Sequence, residues 1–446
     1  MALNAATTWN VMQAGSDLNG GAFVAGTGTD YSLVAGKRTS GSDISTTDAV
    51  ANGTTTLTSA TGNFSTALVG NIIYLAGGSG SLAAVRRQVA TRASTTSITL
   101  DASVAAGTGI TMNIGGALAS PALPFAAITA GNTVNIKNDA GYTITSASTN
   151  VANGCISIAT RCKVEGYLTT PGDGGTAPTL TASGISGATL LAVGTTDVVV
   201  RNLVLDCATL GTMKGYTNAS RGQVTTVTVK NSTNGAFTGG AGTIFTRCRS
   251  TVHSSVAGFT TGIFICCVAD AGTSTGFSTG SECRQCLAYN NSGASSDGFI
   301  ATVTTTLFDG CVSYNNGQHG FNLSTFQGAT VINSIAEGNA AGTGITGSGN
   351  AQMALNNGVY NNLATVSLTG GLSISEGLVT GTASFFVSAS GGNFALNSSS
   401  GGGAGLRSQG VIGTTPDGLS LSYTDIGAIQ SHPPMTNGAG YEGGMT

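Results

Sequence analysis

One short motif constrains this chain more than anything else, because it returns every 19 to 25 residues. Cys248-Arg249-Ser250, Cys267-Val268-Ala269, Cys286-Leu287-Ala288, Cys311-Val312-Ser313, Ser334-Ile335-Ala336 and Gly358-Val359-Tyr360 follow one pattern, with spacings of 19, 19, 25, 23 and 24. A second anchor follows each of the first five: Gly258-Phe259, Gly276-Phe277, Gly298-Phe299, Gly320-Phe321 and Gly344-Ile345. A period in this range marks a solenoid, in which each repeat is too small to bury its own apolar face and must stack on its neighbours. The fold class expected is all-β: a right-handed parallel β-helix, with coils at about 4.8 Å so that each strand has a partner above and below. In that register Cys248, Cys267, Cys286 and Cys311 form an inward ladder of small soft side chains. Phe259, Phe277, Phe299 and Phe321 form an aromatic stack. Asn290 with Asn315, and Asn291 with Asn316 and Asn339, form amide ladders at turns.

Composition agrees with stacked coils. Of 446 residues, 69 are Gly and only 8% are charged, against about 25% in an ordinary domain. Like charges stacked across strands repel, so a solenoid tolerates few. With 40% apolar residues the chain is too hydrophobic for disorder, and 7 Pro without a Gly-X-Y period exclude collagen. The net charge of −3 and the scattered Lys and Arg give no basic groove, so no nucleic-acid partner is expected. No run approaches 18 apolar residues, so no membrane span is expected. Met1-Ala2-Leu3-Asn4 lacks the features of an export signal, and folding in a cytoplasm is the expectation. Nine Cys fall mostly at repeat positions, with one isolated CxxC at Cys283–Cys286, and the three His are far apart. Neither a metal site nor a cofactor is expected; buried reduced thiols are.

Four segments are expected. Residues 1–115 form a small β-rich N-terminal module for attachment or capping, with runs such as Ile72-Ile73-Tyr74-Leu75 and Ser97-Ile98-Thr99-Leu100 between Gly/Thr/Ser turns. Residues 116–380 form the β-helix, with a short helix somewhere in 117–130 limited by Pro121 and Pro124. Residues 381–430 close it, and residues 431–446, with Pro433 and Pro434, form an extended tail.

Three passages resemble known proteins as a class. Thr56 to Ala60, through Val69-Gly70-Asn71-Ile72-Ile73-Tyr74 to Ser97-Ile98-Thr99-Leu100-Asp101, resembles the module that precedes the β-helix in bacteriophage tailspike and tail-fibre proteins. Ala130 to Lys137, then Gly141-Tyr142-Thr143-Ile144, resembles the first coil of pectate-lyase-like β-helices. Asp425-Ile426-Gly427-Ala428-Ile429-Gln430 is similar to a closing motif of bacterial β-helix proteins. With the repeats, the resemblance covers most of residues 55–430. It implies a homotrimer on a virion, assembled in the host cytoplasm, held to other virion proteins through the N-terminal module and possessing a host cell-surface glycan as a candidate ligand. The fold itself hosts lyases, hydrolases, adhesins and inert spikes, so activity has to be argued from side chains.

The register brings few such side chains together. Asp297 and His319 both precede a Gly-Phe anchor, so a carboxylate stacks beside a His: a candidate acid/base pair, or a surface hydrogen bond relieving a turn. Arg284 and Asp309 align as a cross-coil ion pair. Tyr289 and Tyr314 stack, flanked by Asp270 and Glu337. They are candidates for holding sugar rings, or simply an aromatic ladder. Asp297, His319 and Glu337 are the catalytic candidates. No Asp cluster or DxD suggests a bound cation, and glycoside cleavage would need two carboxylates facing one groove. His253 and His432 stand alone, Gly401-Gly402-Gly403 lacks the strand-to-helix context of a phosphate loop, and Trp9 either packs or anchors the N-terminal end. The reading that follows is a virion structural protein (spike, fibre or capsid-surface decoration) without strong catalytic machinery. A polysaccharide-degrading tailspike enzyme and a bacterial surface adhesin are the alternatives.

Overall fold

In a computed structural model, the described residues are 6–36, 45–145, 154–158, 161–194, 196–339, 341–407 and 426. They are almost entirely β, with about nine turns of parallel solenoid, a small closed antiparallel module and a single α-helix, Ala122–Ala127. The chain divides into two compact units, residues 1–181 with 193–203, and residues 182–192 with 204–446.

The first unit contains a six-stranded antiparallel barrel made by Ser45–Ala51, Thr56–Thr58, Ile72–Gly77, Leu82–Ser94, Ser97–Leu100 and Gly107–Ile114. Alternation explains it. In Ser97–Leu100 the Ile and Leu are buried and the Ser and Thr are half-exposed, and Leu57, Ile73, Leu75, Val89, Ile110 and Met112 complete an apolar interior. Closure leaves the module no free sheet edge. The same unit holds coils. Thr7–Val11 runs parallel to Thr133–Lys137, with Trp9 beside Val134, and Thr133–Lys137 runs parallel to Lys163–Tyr167, with Val134 beside Val164. Thr7–Val11 thus pairs with the first coil and Ala22–Val24 pairs antiparallel with Thr7–Val11, while 45–114 form the barrel inserted between the two partners. Trp9 is buried there and its indole Nε1 donates to Asn132 Oδ1 at 3.4 Å.

The second unit is built of coils with three short strands each, giving three parallel sheets. One sheet carries Phe237, Phe259, Phe277, Phe299, Phe321 and Ile345 in direct register. Their rings stack nearly parallel, with centroids 4.6–4.9 Å apart. This is the sheet repeat itself, so the backbone spacing dictates the ring spacing. A second sheet stacks Phe245, Phe264, Cys283, Phe308, Val331 and Ala354 inward. The third stacks Ser250, Ala269, Ala288, Ser313, Ala336 and Val359. In the three-residue strands of the second and third sheets the middle side chain faces the interior and its two neighbours face outward, whereas in Phe277–Thr279 and Phe299–Ala301 of the Phe-ladder sheet the first and third residues are buried and the middle one faces out.

Corners are set by single residues of left-handed backbone. Between the second and third sheets these are Arg247, Cys266, Gln285, Gly310, Asn333 and Asn356, all with φ between +49° and +61°. After the third sheet they are Val252, Ala271, Asn290, Asn315, Gly338 and Asn361. Gly and Asn adopt this region most cheaply, which accounts for their recurrence.

Each Cys of the 248, 267, 286 and 311 series directly follows such a corner and is buried. Its thiol donates to the carbonyl two residues back and to one on the preceding coil: Cys286 to Arg284 at 3.4 Å and Phe264 at 3.4 Å, Cys267 to Ile265 at 3.4 Å and Phe245 at 3.3 Å. Ser334 takes the next position and its hydroxyl donates likewise to Ile332 at 2.8 Å. At the following coil Asn357, and not Gly358, is the equivalent residue, since Ile335 pairs with Gly358. Sequence alignment had slipped there by one residue, because Gly358 imitates the small residue of the pattern.

Residues 381–407 close the unit from the side. The strands Phe386–Ser388 and Asn393–Leu396 pair antiparallel, and Phe385, Phe386, Phe394, Leu396, Leu406 and Ile426 pack on Leu287, Val312 and Ile335 of the third sheet's outer face. Of the Asp425–Gln430 motif only Ile426 is described; His432 and the segment 431–446 lie outside the described residues.

Candidate functional site

The candidate residues all lie on the coils of the second unit, and the structure places each of them. Asp297 is buried, at 2% exposure. Its carboxylate accepts the backbone N–H of His319 at 2.8 Å and the Asn322 amide at 2.9 Å. The imidazole does not meet it. His319 Nδ1 instead accepts the backbone N–H of Thr343 at 2.9 Å. Burial raises the Asp297 carboxyl above its usual range, against the opposing hydrogen bonds from Asn322 and His319 and the nearby His319 charge. The stacked pair is therefore real as a juxtaposition, and its chemistry is a carboxylate tying one coil's turn to the next.

Glu337 is also buried and accepts Ser384 Oγ at 2.6 Å and the Phe385 backbone N–H at 2.9 Å. It binds the lateral hairpin to the coils, and burial raises its carboxyl despite those two donors. Tyr289 and Tyr314 are in register, with Asp270 on one side and Glu337, then Tyr360, on the other. Their rings lie under the hairpin: Tyr289 is 5.1 Å from Phe394, and Tyr314 is 5.6 Å from Phe394 and 6.2 Å from Phe386. A platform for sugar rings would have to be open, and Phe386 and Phe394 of the hairpin cover this one. Asp270 is engaged by Arg249 through two bonds, Nε at 3.1 Å and Nη2 at 2.8 Å, and the same Nη2 reaches Tyr289 Oη at 3.2 Å. Arg284 stands beside Asp309 in register, but its Nε bonds Glu282 on its own strand, while Asp309 accepts the Asn333 amide at 3.3 Å.

Two features escaped sequence reading. His253 occupies the position that Asn291, Asn316, Asn339 and Asn362 fill on later coils, where each amide bonds the next. It is buried, accepts from Ser250 Oγ at Nδ1, 3.1 Å, and directs Nε2 at the Thr275 carbonyl, 3.1 Å. Burial lowers its pKa, offset in part by the Thr275 and Ser274 carbonyls and Asp270. The other is ionic. In the first unit Glu165, nearly inaccessible, pairs with both Lys163 and Arg201, and the Asp173 carboxylate collects the backbone N–H groups of Gly175, Thr169, Thr170 and Leu168. Slight burial pushes Asp173 up, but these donors prevail and lower it to about 2. Only pairing across coils separated by loops brings Glu165 and Arg201 together, so local spacing carries no signal for it.

The outer groups thus mostly bond each other. Among the described residues, no three His, Cys, Asp or Glu side chains gather where they could hold a metal ion, and no helix is long and apolar enough to cross a membrane.

Comparison with protein-family models and with curated protein sequences yields no match. Solved structures similar to this chain include the A-module of the mannuronan C-5 epimerase AlgE4 of Azotobacter vinelandii (19% identity over 56% of this chain and 79% of that one, TM-score 0.46). Others are the pectate lyase Pel9A (15% identity, 70% and 91%, TM-score 0.39) and the tailspike protein gp49 of Pseudomonas phage LKA1 (11% identity, 76% and 63%, TM-score 0.21). At such identities no activity carries over to this chain, and its β-helical architecture rests on its own strand pairing.

Proposed function

We propose that this chain is a virion structural protein of the phage type: a β-helical spike, fibre or capsid-surface decoration that assembles as a homotrimer in the host cytoplasm. The observation that carries the proposal is where the polar groups go. Asp270, Asp297 and Glu337 each serve to fasten coil to coil or hairpin to coil. Such a protein is built for rigidity, with its barrel module available to hold other virion components. Free thiols at the repeat positions agree with folding in a reducing compartment. The test is turnover. The full chain is incubated with capsular and lipopolysaccharide fractions, and reducing ends and unsaturated sugars are measured. No release above a heat-treated control is expected.

The second reading, a polysaccharide-degrading tailspike, draws on one observation: buried carboxyls with raised pKa values, Asp297 and Glu337, are a common mark of acid catalysts. Release of sugar that Asp297→Asn abolishes would establish it and overturn the first.

A further inference from the structure

We infer that the Asn52-Gly53 step of the barrel is a site of spontaneous covalent modification, at which the Asn52 side chain closes on the backbone and reopens as aspartate or isoaspartate.

The reaction needs a carboxamide followed by a residue without Cβ, a backbone N–H of that residue free to attack, and a carboxamide nitrogen free to leave. Asn precedes Gly at seven places in the chain. Asn153 and Asn437 lie outside the described residues. The other five divide by their hydrogen bonds. Asn19, Asn316 and Asn357 are buried. In each case the attacking nitrogen is engaged: Gly20 N–H donates to the Gly115 carbonyl at 2.9 Å, Gly317 to Asn291 at 2.8 Å and Gly358 to Ser334 at 2.9 Å. The leaving amide is engaged too. Asn19 Nδ2 donates to the Ala35 and Ala117 carbonyls, Asn316 Nδ2 to the Ala288 carbonyl and Asn357 Nδ2 to the Val331 carbonyl. These three react only through opening of the local structure that holds them. Asn234 is half-buried, in a turn whose backbone is tied to the Met213 carbonyl by the N–H groups of both Thr233 and Asn234.

Asn52 is the opposite case. It and Gly53 are exposed, in the turn that joins the barrel strands Ser45–Ala51 and Thr56–Thr58. Among the described residues neither the Gly53 N–H nor Asn52 Nδ2 has a partner. Gly53 stands at φ +83° with open space where a Cβ would be, so the turn can bring its nitrogen onto the side chain. The one bond that Asn52 makes favours the reaction. Thr54 Oγ1 donates to Asn52 Oδ1 at 2.6 Å, which polarises Cγ and stabilises the negative charge that the oxygen acquires on attack.

The step balances with water alone. Hydroxide takes the Gly53 N–H proton, the nitrogen bonds to Asn52 Cγ, and the Cγ–Nδ2 bond breaks. Ammonia leaves with a proton from water, and a succinimide ring remains. Water then opens the ring at either carbonyl. One opening gives aspartate, and the other gives isoaspartate, which routes the backbone through the former side chain. Either product adds a negative charge to the barrel's surface.

The test holds the full native chain at mildly alkaline pH, digests samples at acidic pH and follows each peptide by chromatography and mass spectrometry. Asn52 should convert first, as a mixture of isoaspartate and aspartate. Asn234 should follow more slowly, and Asn19, Asn316 and Asn357 should stay amides. In denaturant all five should convert at similar rates. Thr54→Val, which leaves Asn52 and Gly53 in place, should slow conversion severalfold, and Asn52→Gln, which would have to close a larger ring, should abolish it at that position. A native Asn52 that stays an amide while the denatured chain converts there overturns the inference. So does conversion of native Asn316 or Asn357 as fast as Asn52. A Thr54→Val chain that converts at the wild-type rate overturns the role given to the hydroxyl.

Discussion

Replacing Phe299 by Ala probes how the coils hold together. Phe299 is fully buried and its ring lies between Phe277 and Phe321, each at 4.9 Å and within 9° of parallel, with Phe308 edge-on at 5.5 Å. Losing the side chain forfeits its transfer free energy, about 2–3 kcal/mol. The void cannot collapse, because backbone hydrogen bonds fix the rung spacing on both sides, and that puts the substitution at the upper part of the usual ~3–5 kcal/mol. Two parallel ring pairs, each worth about 0.5–1.5 kcal/mol beyond burial, act in the same direction. We expect a loss of about 5 kcal/mol. Phe321 has only one parallel Phe neighbour, since Ile345 follows it in register, so Phe321→Ala should cost about 1 kcal/mol less. Phe299→Leu, which refills most of the volume, should cost below about 2 kcal/mol. The assay is urea denaturation followed by far-ultraviolet circular dichroism at constant protein concentration. A cost below about 2 kcal/mol for Phe299→Ala, or equal costs at positions 299 and 321, would refute the stacked-ring account.

Glu337 should give the hairpin a measurable pH dependence. Its folded pKa is raised by burial, so its contribution to stability is greatest below the usual carboxyl value and declines as pH rises through the folded value. Glu337→Gln should flatten that slope in thermal melts. Glu337→Ala, which strands the buried Phe385 N–H, should cost about 1–3 kcal/mol, and hydrogen exchange should then report loosening at residues 385–396. Val252, a β-branched residue at φ +53°, sits where Asn or Gly belongs, so Val252→Asn should stabilise by about 1 kcal/mol in the same melts; an unchanged or lower midpoint would contradict the strain. Native protein treated with iodoacetamide should be labelled first at half-buried Cys266, while Cys267, Cys286 and Cys311, buried and acting as donors, stay unmodified until denaturant is added.

How far these features could be read from sequence follows from their physical range. The coils were legible because their determinants are local: a Gly-Phe pair, a Cys or Ser after a corner, an Asn within the turn. Asn357 shows the limit, since a small residue beside it mimicked the motif and moved the alignment by one. Residues 6–24 were assigned to the N-terminal module. Nothing in Thr7-Thr8-Trp9 announces a parallel partner at Thr133, because that pairing spans the whole inserted barrel. The cover over Tyr289 and Tyr314 was invisible for a similar reason: Phe385, Phe386 and Phe394 follow no period, and their position is set by the apolar stripe of Leu287, Val312 and Ile335 that they bury. The Asp297–His319 neighbourhood was legible from register, yet which atom of His319 meets the carboxylate depends on where Thr343 places its N–H. His253 was set aside as solitary, although it fills an amide ladder position, because His and Asn share hydrogen-bonding capacity and not shape.

The central claim is that this β-helix works as an assembled structural element. The mass of the full-length chain in solution, by light scattering with an unheated SDS gel alongside, tests it most directly. Three times the chain mass and a band that withstands SDS are predicted. A monomer across the concentration range, with a single fast band, would contradict the claim.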